Sequence, residues 1–484
     1  MNLYNDELSV MNYISALSSI LRGDLKMKEV EFSFRKKSGK SFSFIKEFRG
    51  DLLTPIGIFN ALKGNRKFIF ESGTKGSNFA RYSYIGCGDK MAELTSLEEV
   101  NEEIKRDFDE SSNPLPFKGG VIGYTSYNLI GKYEPTLKYK NEDKLGVKDC
   151  LFTVYKDYIC YDHFTHKVSI VKNIEKDDCR SYEQIKREIY DLYHEICSCK
   201  METEDFQENE HEEIEFTSNY TRKEYMEKVE KCKEYIKNGD IFQVVFSQQV
   251  TCKTNKSGVE VYRRLRENNP SSYMFYIDNG DFEIVGSSPE SLVSVRDGIV
   301  TTNPIAGTRR RGRDEKEDKA LEEELINDEK ERAEHVMLVD LGRNDIGKIS
   351  EVGSVKVEEF MNIERFSHVM HMTSKVSGKL KKGVDSIYAL ISTMPAGTVS
   401  GAPKIRAMEI IEELENRKRG IYAGAVGYFS YGGNMDMSIA IRTMVIKDKT
   451  AFLQAGGGIV YDSDPEKEYE ESLNKMRILM EVLK

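Results

Sequence analysis

The sequence of 484 residues has no apolar run of about 18 residues, the length that a membrane-spanning helix needs. Its first eight residues, Met-Asn-Leu-Tyr-Asn-Asp-Glu-Leu, lack both the positive charge and the apolar core of a secretory signal. These two absences argue against a membrane-spanning helix and a secretory signal. We therefore expect a cytoplasmic protein.

An excess of basic residues is also missing. The chain has 71 Lys and Arg against 81 Asp and Glu, which gives a formal net charge of −10 and a pI near 5.5. Because contact with phosphate needs a basic surface, this balance excludes a nucleic acid or an anionic membrane as the partner. An anionic small substrate would need cations gathered at one site.

Cysteine is scarce, and its positions are scattered. The eight residues are Cys87, Cys150, Cys160, Cys179, Cys197, Cys199, Cys232 and Cys252. So few in so long a chain predict reduced thiols rather than a disulfide framework. Cys197 and Cys199 form a lone pair without the second half that a zinc knuckle requires.

The length and an apolar content of 39% predict two domains, or one large elaborated domain, with an ample core. Residues 201–216 are strongly acidic and have few core residues, which is typical of a linker. We therefore expect an N-terminal appendage at residues 1–45, a first region at 46–200, this linker, and a second region at 217–484.

Short runs of β-forming residues alternate with turn residues in both regions, and this pattern predicts antiparallel sheets. Residues 67–71 indicate a strand buried on both faces, because Phe68 and Phe70 flank Ile69. Residues 10–21 predict an amphipathic segment and residues 30–34 a strand.

The C-terminal part predicts three further strands, at residues 421–431, 435–447 and 450–461. Arg442 stands in the middle of the second one. A guanidinium in that position must meet an anion, and either a structural salt bridge or a bound ligand would provide it.

Two glutamate pairs stand out. Glu331 and Glu334 are three residues apart before an apolar run, so helical spacing places both on one face, at a repulsion of about 0.2–0.5 kcal/mol in solvent. Glu468 and Glu471 repeat the spacing after Asp464, a candidate N-cap followed by proline at the first helical position.

If these two helices converge, four carboxylates need a hard cation. Oxygen ligands from a few carboxylates, with positions left open for water, suit Mg²⁺. The alternative is two ordinary charged helix faces, and the spacing alone leaves both interpretations open.

Eight further motifs follow one another in the second half of the chain, at residues 239–248, 288–290, 304–309, 331–335, 368–371, 395–404, 441–443 and 454–460. Together they closely resemble the chorismate-utilising enzymes, and within that family the anthranilate-forming branch. The resemblance covers residues 46–484 and is densest after residue 220. It implies a mixed α+β architecture in which large antiparallel sheets pack as a sandwich flanked by helices, with the Mg²⁺-dependent catalytic site in the region 217–484.

Two positions distinguish branches of this family. Water-adding relatives carry a lysine base where this chain has Gln243, so the resemblance implies ammonia as the nucleophile. Relatives that form aminodeoxychorismate typically carry a nucleophilic lysine where this chain has Ala306, which cannot act as one. The resemblance therefore implies amination of chorismate followed by pyruvate elimination to anthranilate, with the aminodeoxychorismate-forming branch as the alternative.

Two other segments resemble the pocket through which tryptophan inhibits the anthranilate-forming branch. The residues are Glu71, Ser72, Pro270, Tyr273 and Met274. The chain departs from the usual motif at Ser272, where a second proline is typical. Feedback inhibition by tryptophan is the expectation, and a catalytically inactive tryptophan-binding regulator is a further alternative.

The resemblance also implies roles for the site residues. Glu334 and Glu471 would hold Mg²⁺, with Glu331 and Glu468 acting through water, so that the metal binds the ring carboxylate of chorismate. Glu290 is the candidate general acid for the departing C4 hydroxyl, a task that needs a raised pKa.

Other side chains would bind the substrate or move a proton. His371 would handle a proton during pyruvate elimination, and Tyr422 and Arg442 would hold the enolpyruvyl carboxylate. Further donors and walls would come from Thr398, the backbone of Gly456, Gly457 and Gly458, and the segment Ala306, Gly307 and Thr308. Lys404 either adds positive potential or is solvated, and the basic run Arg309, Arg310, Arg311 and Arg313 is expected to be a solvated loop.

The chain has no Gly-x-Cys-x-Gly nucleophile elbow of a glutamine amidotransferase, since the segment around Cys87 lacks the spacing. Hydrolysis of glutamine would therefore need a separate amidotransferase subunit, and the chain alone would use free ammonia.

Overall fold

The computed structural model describes residues 29–73, 81–88, 92–198, 214–365 and 369–484. Within these ranges two β-sheets pack face to face, and helices cover their outer faces. None of the helices in the described ranges has the length and apolar character needed to cross a membrane. The predicted α+β class with antiparallel sheets is confirmed.

The described part of the chain contains eleven α-helices, numbered in chain order. They are α1 (Glu29–Lys37), α2 (Pro55–Ala61), α3 (Leu97–Ile104), α4 (Tyr182–Ser198), α5 (Arg222–Lys237), α6 (Gly258–Asn268), α7 (Glu315–Asn327), α8 (Glu329–Gly347), α9 (Ser386–Thr393), α10 (Lys404–Leu414) and α11 (Pro465–Leu483). Short 3₁₀ turns lie at Glu110–Ser112, Tyr127–Lys132 and Gly397–Val399.

The strands are more numerous and mostly short. They are β1 (Ser41–Arg49), β2 (Phe68–Glu71), β3 (Tyr82–Gly86), β4 (Glu93–Leu94), β5 (Phe108–Asp109), β6 (Gly120–Thr125), β7 (Cys150–Tyr155), β8 (Tyr158–Asp162), β9 (Lys167–Ile174), β10 (Thr217–Ser218), β11 (Gln243–Lys253), β12 (Tyr273–Asp278), β13 (Phe282–Ser288), β14 (Ser291–Arg296), β15 (Ile299–Thr302), β16 (Ile305–Arg310), β17 (Lys356–Arg365), β18 (Val369–Lys379), β19 (Gly401–Ala402), β20 (Ala425–Ser430), β21 (Met435–Ile439), β22 (Thr443–Lys447) and β23 (Thr450–Ile459).

The first sheet has thirteen strands in the order β10-β11-β23-β22-β13-β12-β2-β3-β8-β9-β1-β5, and β19 also pairs with β11. The second has ten strands in the order β16-β18-β15-β14-β21-β20-β6-β7-β4, and β17 also pairs with β18. In each sheet the strands before and after residue 214 meet along one antiparallel pair, β2 with β12 in the first and β6 with β20 in the second. Both halves of the chain therefore build both sheets.

The space between the sheets is filled by large apolar side chains from both. Phe68 and Phe275 of the first sheet share one buried cluster with Ile122, Leu151 and Val426 of the second. Such face-to-face packing of alternating inward residues is what joins two antiparallel sheets into a sandwich. The strand predicted at residues 67–71 is confirmed as β2, with Phe68 and Ile69 buried on its opposite faces.

The strand predicted at residues 30–34 is wrong, because this segment belongs to helix α1. Glu29 and Glu31 lie in its first turn and three basic residues in its last turn, which matches the helix dipole. Arg35 pairs with Glu31 one turn earlier at 3.0 Å, and Phe32 alone in the helix is buried. These local charges favour a helix over the period-two pattern of the aromatic residues.

The strand predicted at residues 435–447 is also wrong as a single element. The chain changes sheets there, since β21 pairs with β20 and β14 in the second sheet and β22 pairs with β13 and β23 in the first. Arg442 lies at the change, with φ at +49°. It therefore lies between two strands and not within one.

Both glutamate pairs are on helices, as predicted. Asp328 caps α8 by accepting from the amides of Lys330 and Glu331, and Asp464 caps α11 in the same way, with Pro465 at the first position. The predicted segment at residues 10–21 and most of the predicted linker lie outside the described residues. No disulfide joins any of the cysteines that the structure describes.

Candidate active site

Consecutive glycines near the end of β23 leave room beside the second glutamate pair. A Cβ atom added at Gly457 would lie 2.6 Å from Oε2 of Glu468 and 3.8 Å from Oε1 of Glu471, both on α11. Any side chain at this position would therefore enter the space that the two carboxylates occupy.

The first glutamate pair reaches the same strand from the other side. Gln243, at the start of β11, lies against Gly458 and donates from its amide nitrogen to Oε1 of Glu334 on α8 at 3.1 Å. Gln243 thus links Glu334 to Gly458, while Glu468 and Glu471 lie against the adjacent Gly457. Both glutamate pairs are therefore connected to neighbouring positions of one strand.

These carboxylates already have cationic or polar neighbours. Glu471 pairs with Lys475 at 2.8 Å, and Glu331 pairs with Arg309 at 3.1 Å. Burial raises the pKa of Glu468, a hydrogen bond from Ser463 opposes the rise, and the charge of Glu471 adds to it.

Within the described ranges, no three His, Cys, Asp or Glu side chains stand close enough together to hold a metal ion as they are. The donor set nevertheless has the chemistry of a Mg²⁺ site, because Mg²⁺ takes one or two protein carboxylates and keeps several waters. The repulsion that raises the pKa of Glu468 is of the kind that a bound cation removes.

Glu290 lies in a different, buried part of the site, at the turn from β13 to β14. Its Oε1 accepts a hydrogen bond at 3.0 Å from Thr398, on the short turn Gly397–Val399. Burial raises the pKa of the Glu290 carboxyl to about 8, although the hydrogen bond from Thr398 opposes this. A carboxyl in this environment keeps its proton at neutral pH.

His371 on β18 faces the segment Ala306–Thr308 on β16. Its Nδ1 lies 3.0 Å from the hydroxyl of Thr308 and 3.2 Å from the carbonyl of Gly307. Gly307 has φ at +69° at the point where the register of β16 shifts, which turns the segment toward the imidazole. Burial lowers the pKa of His371, the Gly307 carbonyl opposes this, and the charge of Arg442 adds to it.

Arg442 is enclosed without an anion. Burial lowers the pKa of its guanidinium, and among the described residues no carboxylate pairs with it. A structural salt bridge, one of the two possibilities that the sequence left open, is therefore absent from this part of the structure. The guanidinium is available to an anionic ligand.

The ring of Tyr422 lies beside a buried ion pair. Arg419 binds Glu415 through two nitrogens at 2.6 and 2.9 Å, and its guanidinium lies 5.6 Å from the ring of Tyr422. Arg419 also donates to the carbonyls of Val399 and Val245. Burial raises the pKa of Tyr422 to about 12, so its hydroxyl is a donor at neutral pH.

The basic run after Thr308 is only partly the solvated loop that we expected, because Arg310 and Arg313 are exposed whereas Arg309 is largely covered. Arg309 bonds to Glu324 and Asp328 at 2.9 Å each and to Glu331 at 3.1 Å. The other arginines of the run pair with Glu317 and Asp318 on α7. The acidic first turn of α7 provides the partners of Arg310, Arg311 and Arg313. Together with the contacts of Arg309, these ion pairs link β16 to α7 and α8.

The two segments assigned to tryptophan are neighbours in the first sheet. Met274 on β12 lies opposite Glu71 on β2. The carboxylate of Glu71 accepts from Tyr262 at 2.5 Å and pairs with Arg266 at 3.1 Å. Burial raises the pKa of Glu71, and the charge of Arg266 opposes this.

Two of the three remaining predicted residues of this group line a cavity. Pro270 and Tyr273 form part of its wall together with Gly73, which follows Ser72, and the hydroxyl of Tyr273 donates to Asp436 at 3.1 Å. The structure brings the segments together, and their role in binding tryptophan stays a prediction.

Three positions were missed from the sequence. Lys475 stands four residues after Glu471, a spacing that predicts an ion pair on a helix. Glu415 and Arg419 have the same separation. Lys404, for which both a charged and a solvated role were open, is buried and pairs with Asp345 at 2.6 Å, a contact between two helices that no local spacing reveals.

The family profile of the chorismate binding enzymes matches residues 65–481 of the chain. The chain is 45% identical over 458 residues to anthranilate synthase component 1 of Aquifex aeolicus, covering 90% of this chain and 92% of that protein. It is 40% identical over 513 residues to the protein of the same name from Bacillus subtilis, covering 98% and 96% of the two chains.

Two solved structures are also similar to this chain. The anthranilate synthase component I of Streptococcus pneumoniae superimposes with a TM-score of 0.76 at 40% identity, over 90% of this chain and 98% of that one. The menaquinone-specific isochorismate synthase of Escherichia coli superimposes with a TM-score of 0.70 at 18% identity, over 92% and 95% of the two chains, and shows the shared fold.

Proposed function

The chain belongs to the family of chorismate binding enzymes, and we propose that within this family it is the synthase component of an anthranilate synthase. The reaction is amination of chorismate by ammonia followed by elimination of pyruvate, which commits the product to tryptophan biosynthesis. The matches to relatives of that name over nine tenths of the chain support this assignment.

The observation that carries the proposal is the contact between Gln243 and Glu334. An amide that donates to a carboxylate cannot take a proton from water, so this position offers no base for adding water to the ring. Ammonia needs no such base, because the neutral molecule already has a nucleophilic lone pair. Ala306 likewise offers no nucleophile of its own.

The residues of the chain then have separate tasks. Arg442 and Tyr422 hold the enolpyruvyl carboxylate, since a guanidinium without an internal partner and a protonated phenol both donate. Glu290 gives its proton to the C4 hydroxyl as that group leaves. His371, neutral because burial lowers its pKa, accepts a proton in the elimination step.

Thr398 and the backbone around Gly456, Gly457 and Gly458 complete the walls. Glu334 and Glu471 would hold Mg²⁺, with Glu331 and Glu468 behind water. When bound, this ion supplies electron withdrawal at the ring carboxylate. Thr398 keeps Glu290 in place, and Ala306, Gly307 and Thr308 fix the position of His371.

We also propose two partners and a cellular setting. A separate glutamine amidotransferase subunit supplies ammonia, and tryptophan inhibits the enzyme at the seam where β2 meets β12. The substrate and both partners are cytoplasmic in this proposal, and neither a nucleic acid nor a membrane takes part.

The test is the product that the chain alone makes from chorismate, MgCl₂ and an ammonium salt at alkaline pH. Anthranilate, detected by its fluorescence and by chromatography with a standard, is the expected product. Non-fluorescent aminodeoxychorismate would assign the chain to the alternative branch. Tight binding of tryptophan without turnover of chorismate at high Mg²⁺ would make it a regulator instead.

A further inference from the structure

A small cavity extends from the buried carboxyl of Glu290 to the ion pair of Asp345 and Lys404. Its volume is about 40 Å³, room for roughly three water molecules at 10–15 Å³ each. Glu290 and Thr398 form one part of its wall and Asp345 another. Polar groups at both ends favour water inside it.

The ion pair at the far end leads toward solvent. Lys404 on α10 donates to Asp345 at 2.6 Å and to the carbonyl of Thr393 at 3.1 Å. Asp345 on α8 also accepts from Lys348 at 3.2 Å, and the side chain of Lys348 is 65% exposed. Lys348 is the charged group that faces the pair from outside, so a path of ionisable groups runs from the surface to the cavity.

Among the described residues, no such series of ionisable groups leads to Glu290 at its own end of the cavity. Glu290 is buried, and among the described residues its side chain has one hydrogen-bond partner, Thr398, which donates to it. A general acid in this position gives up its proton once in each turnover and must recover one. Thr398 cannot supply it without losing its own.

We infer that water in this cavity returns a proton to Glu290 from the Asp345–Lys404 pair, an inference that rests on the proposed function. The Glu290 proton leaves with the C4 hydroxyl as water. A cavity water protonates the Glu290 carboxylate and takes a proton from the Lys404 ammonium, and Lys404 recovers one from solvent past Lys348. The proton that Glu290 regains from solvent balances the one that the added nitrogen releases to solvent on becoming a neutral amine.

The charges around Lys404 suit this task. Burial lowers the pKa of its ammonium, while the charge of Asp345 opposes the change and that of Lys348 adds to it. Asp345 and Lys404 do not touch the substrate. They are positioning residues that act on the reaction through Glu290.

Two variants interrupt the path in different ways. Asp345→Asn removes the negative charge and leaves the shape. Gly342→Ala narrows the cavity, because its Cβ would lie 3.1 Å from Thr302 and 3.5 Å from Pro304, which both line it. Gly347→Ala is the matched control, since it lies on the same helix and its Cβ meets nothing within 4 Å.

With ammonia as the nitrogen source, both variants should lower kcat roughly tenfold, less than the loss of a general acid itself, with KM for chorismate unchanged. Their kcat should rise with imidazole buffer concentration at fixed pH, and their solvent deuterium isotope effect should exceed that of the wild type. Gly347→Ala should match the wild type. If Asp345→Asn does not fold, Gly342→Ala decides, since alanine favours a helix over glycine.

Unchanged kcat in both variants would overturn the inference, and so would a loss of kcat without buffer rescue or a change in isotope effect, which would mark a structural role. In either case the wild type still makes anthranilate and the proposed function stands. A wild type that makes no anthranilate overturns the proposed function and this inference together.

Discussion

The site contains two groups of carboxylates that differ in their surroundings. Glu290 is buried, has a single hydroxyl as partner and keeps a proton to a pKa of about 8. Glu331, Glu334 and Glu471 lie nearer the surface on α8 and α11, and each touches a group that donates to it. The same side chain is thus buried beside one hydroxyl in one region and lies among cationic or amide donors in the other.

The difference teaches that burial and not residue type assigns the task. Desolvation without a counter-charge favours an acid, and carboxylates surrounded by donors are the group that we propose holds a cation. Four changes test this contrast, from the largest expected effect to the smallest.

Replacing Glu290 with Gln should nearly abolish turnover. The amide keeps the contact with Thr398 but cannot give a proton, and general acids contribute about 10²- to 10⁴-fold. The measurement is the rate of anthranilate formation, with circular dichroism to show an intact fold. Turnover within twofold of the wild type would remove Glu290 from the role of acid.

Replacing Glu471 with Gln should raise the Mg²⁺ concentration for half-maximal activity at least about tenfold, since changes even behind the ligands of a metal cost 10- to 100-fold in affinity. The fold should survive, because an exposed pair such as Glu471 with Lys475 contributes at most about 1 kcal/mol. Glu470→Gln, at the preceding position of the same helix, is the control. Equal Mg²⁺ dependence of both variants would contradict the ligand role.

The pH dependence of Glu290 has a defined sign. Its pKa is about 8 in the folded chain against 4.5 as the ordinary value, so the native state holds a proton that the unfolded chain releases between these limits. Stability therefore falls as pH rises through this window, by up to about 1.4 kcal/mol per pH unit, and Glu290→Gln should abolish that fall.

In the same pH series, kcat of the wild type should decline above about pH 8, where Glu290 ionises. Thr398→Val removes the hydrogen bond that lowers this pKa and should move the decline to higher pH. Denaturant titrations and rate profiles measure the two effects. A decline at the same pH in both proteins would assign it to another group.

The smallest effect is expected for Lys475→Met. The Lys475 ammonium pairs with the Glu471 carboxylate and so competes with Mg²⁺ for it. Removing the ammonium should lower the Mg²⁺ concentration for half-maximal activity by roughly two- to threefold, the effect expected for an exposed ion pair. Lys467→Met, on the same helix, changes the net charge equally and should leave the requirement unchanged. A higher requirement after Lys475→Met would mean that the lysine supports the site.

Local chemistry explains what the sequence could predict. The cap at Asp464 and the helical spacing of both glutamate pairs depend on neighbours within one turn, and these were predicted. The placement of both pairs beside Gly457 and Gly458 depends on strand pairing between distant segments, so only the family resemblance suggested it.

Two of the errors have their origin in contacts between distant segments. The run around Arg442 is uniformly β-forming, and only its partners in two different sheets reveal the break. The acidic partners of Arg309 are 15 to 22 residues away on other elements, so the run seemed solvated. The Asp345–Lys404 pair joins α8 to α10 and has no local signal at all.

The pairing of β2 with β12 sets the distance between Glu71 and Arg442. Glu71 lies opposite Met274, Met274 lies opposite Ser287, and the Ser287 amide donates to the carbonyl of Arg442 at 3.1 Å. Three steps of about 4.8 Å between adjacent backbones place Glu71 about 14 Å from the backbone of Arg442. An inhibitor at Glu71 would therefore lie three strand spacings from the residue that we propose binds the substrate.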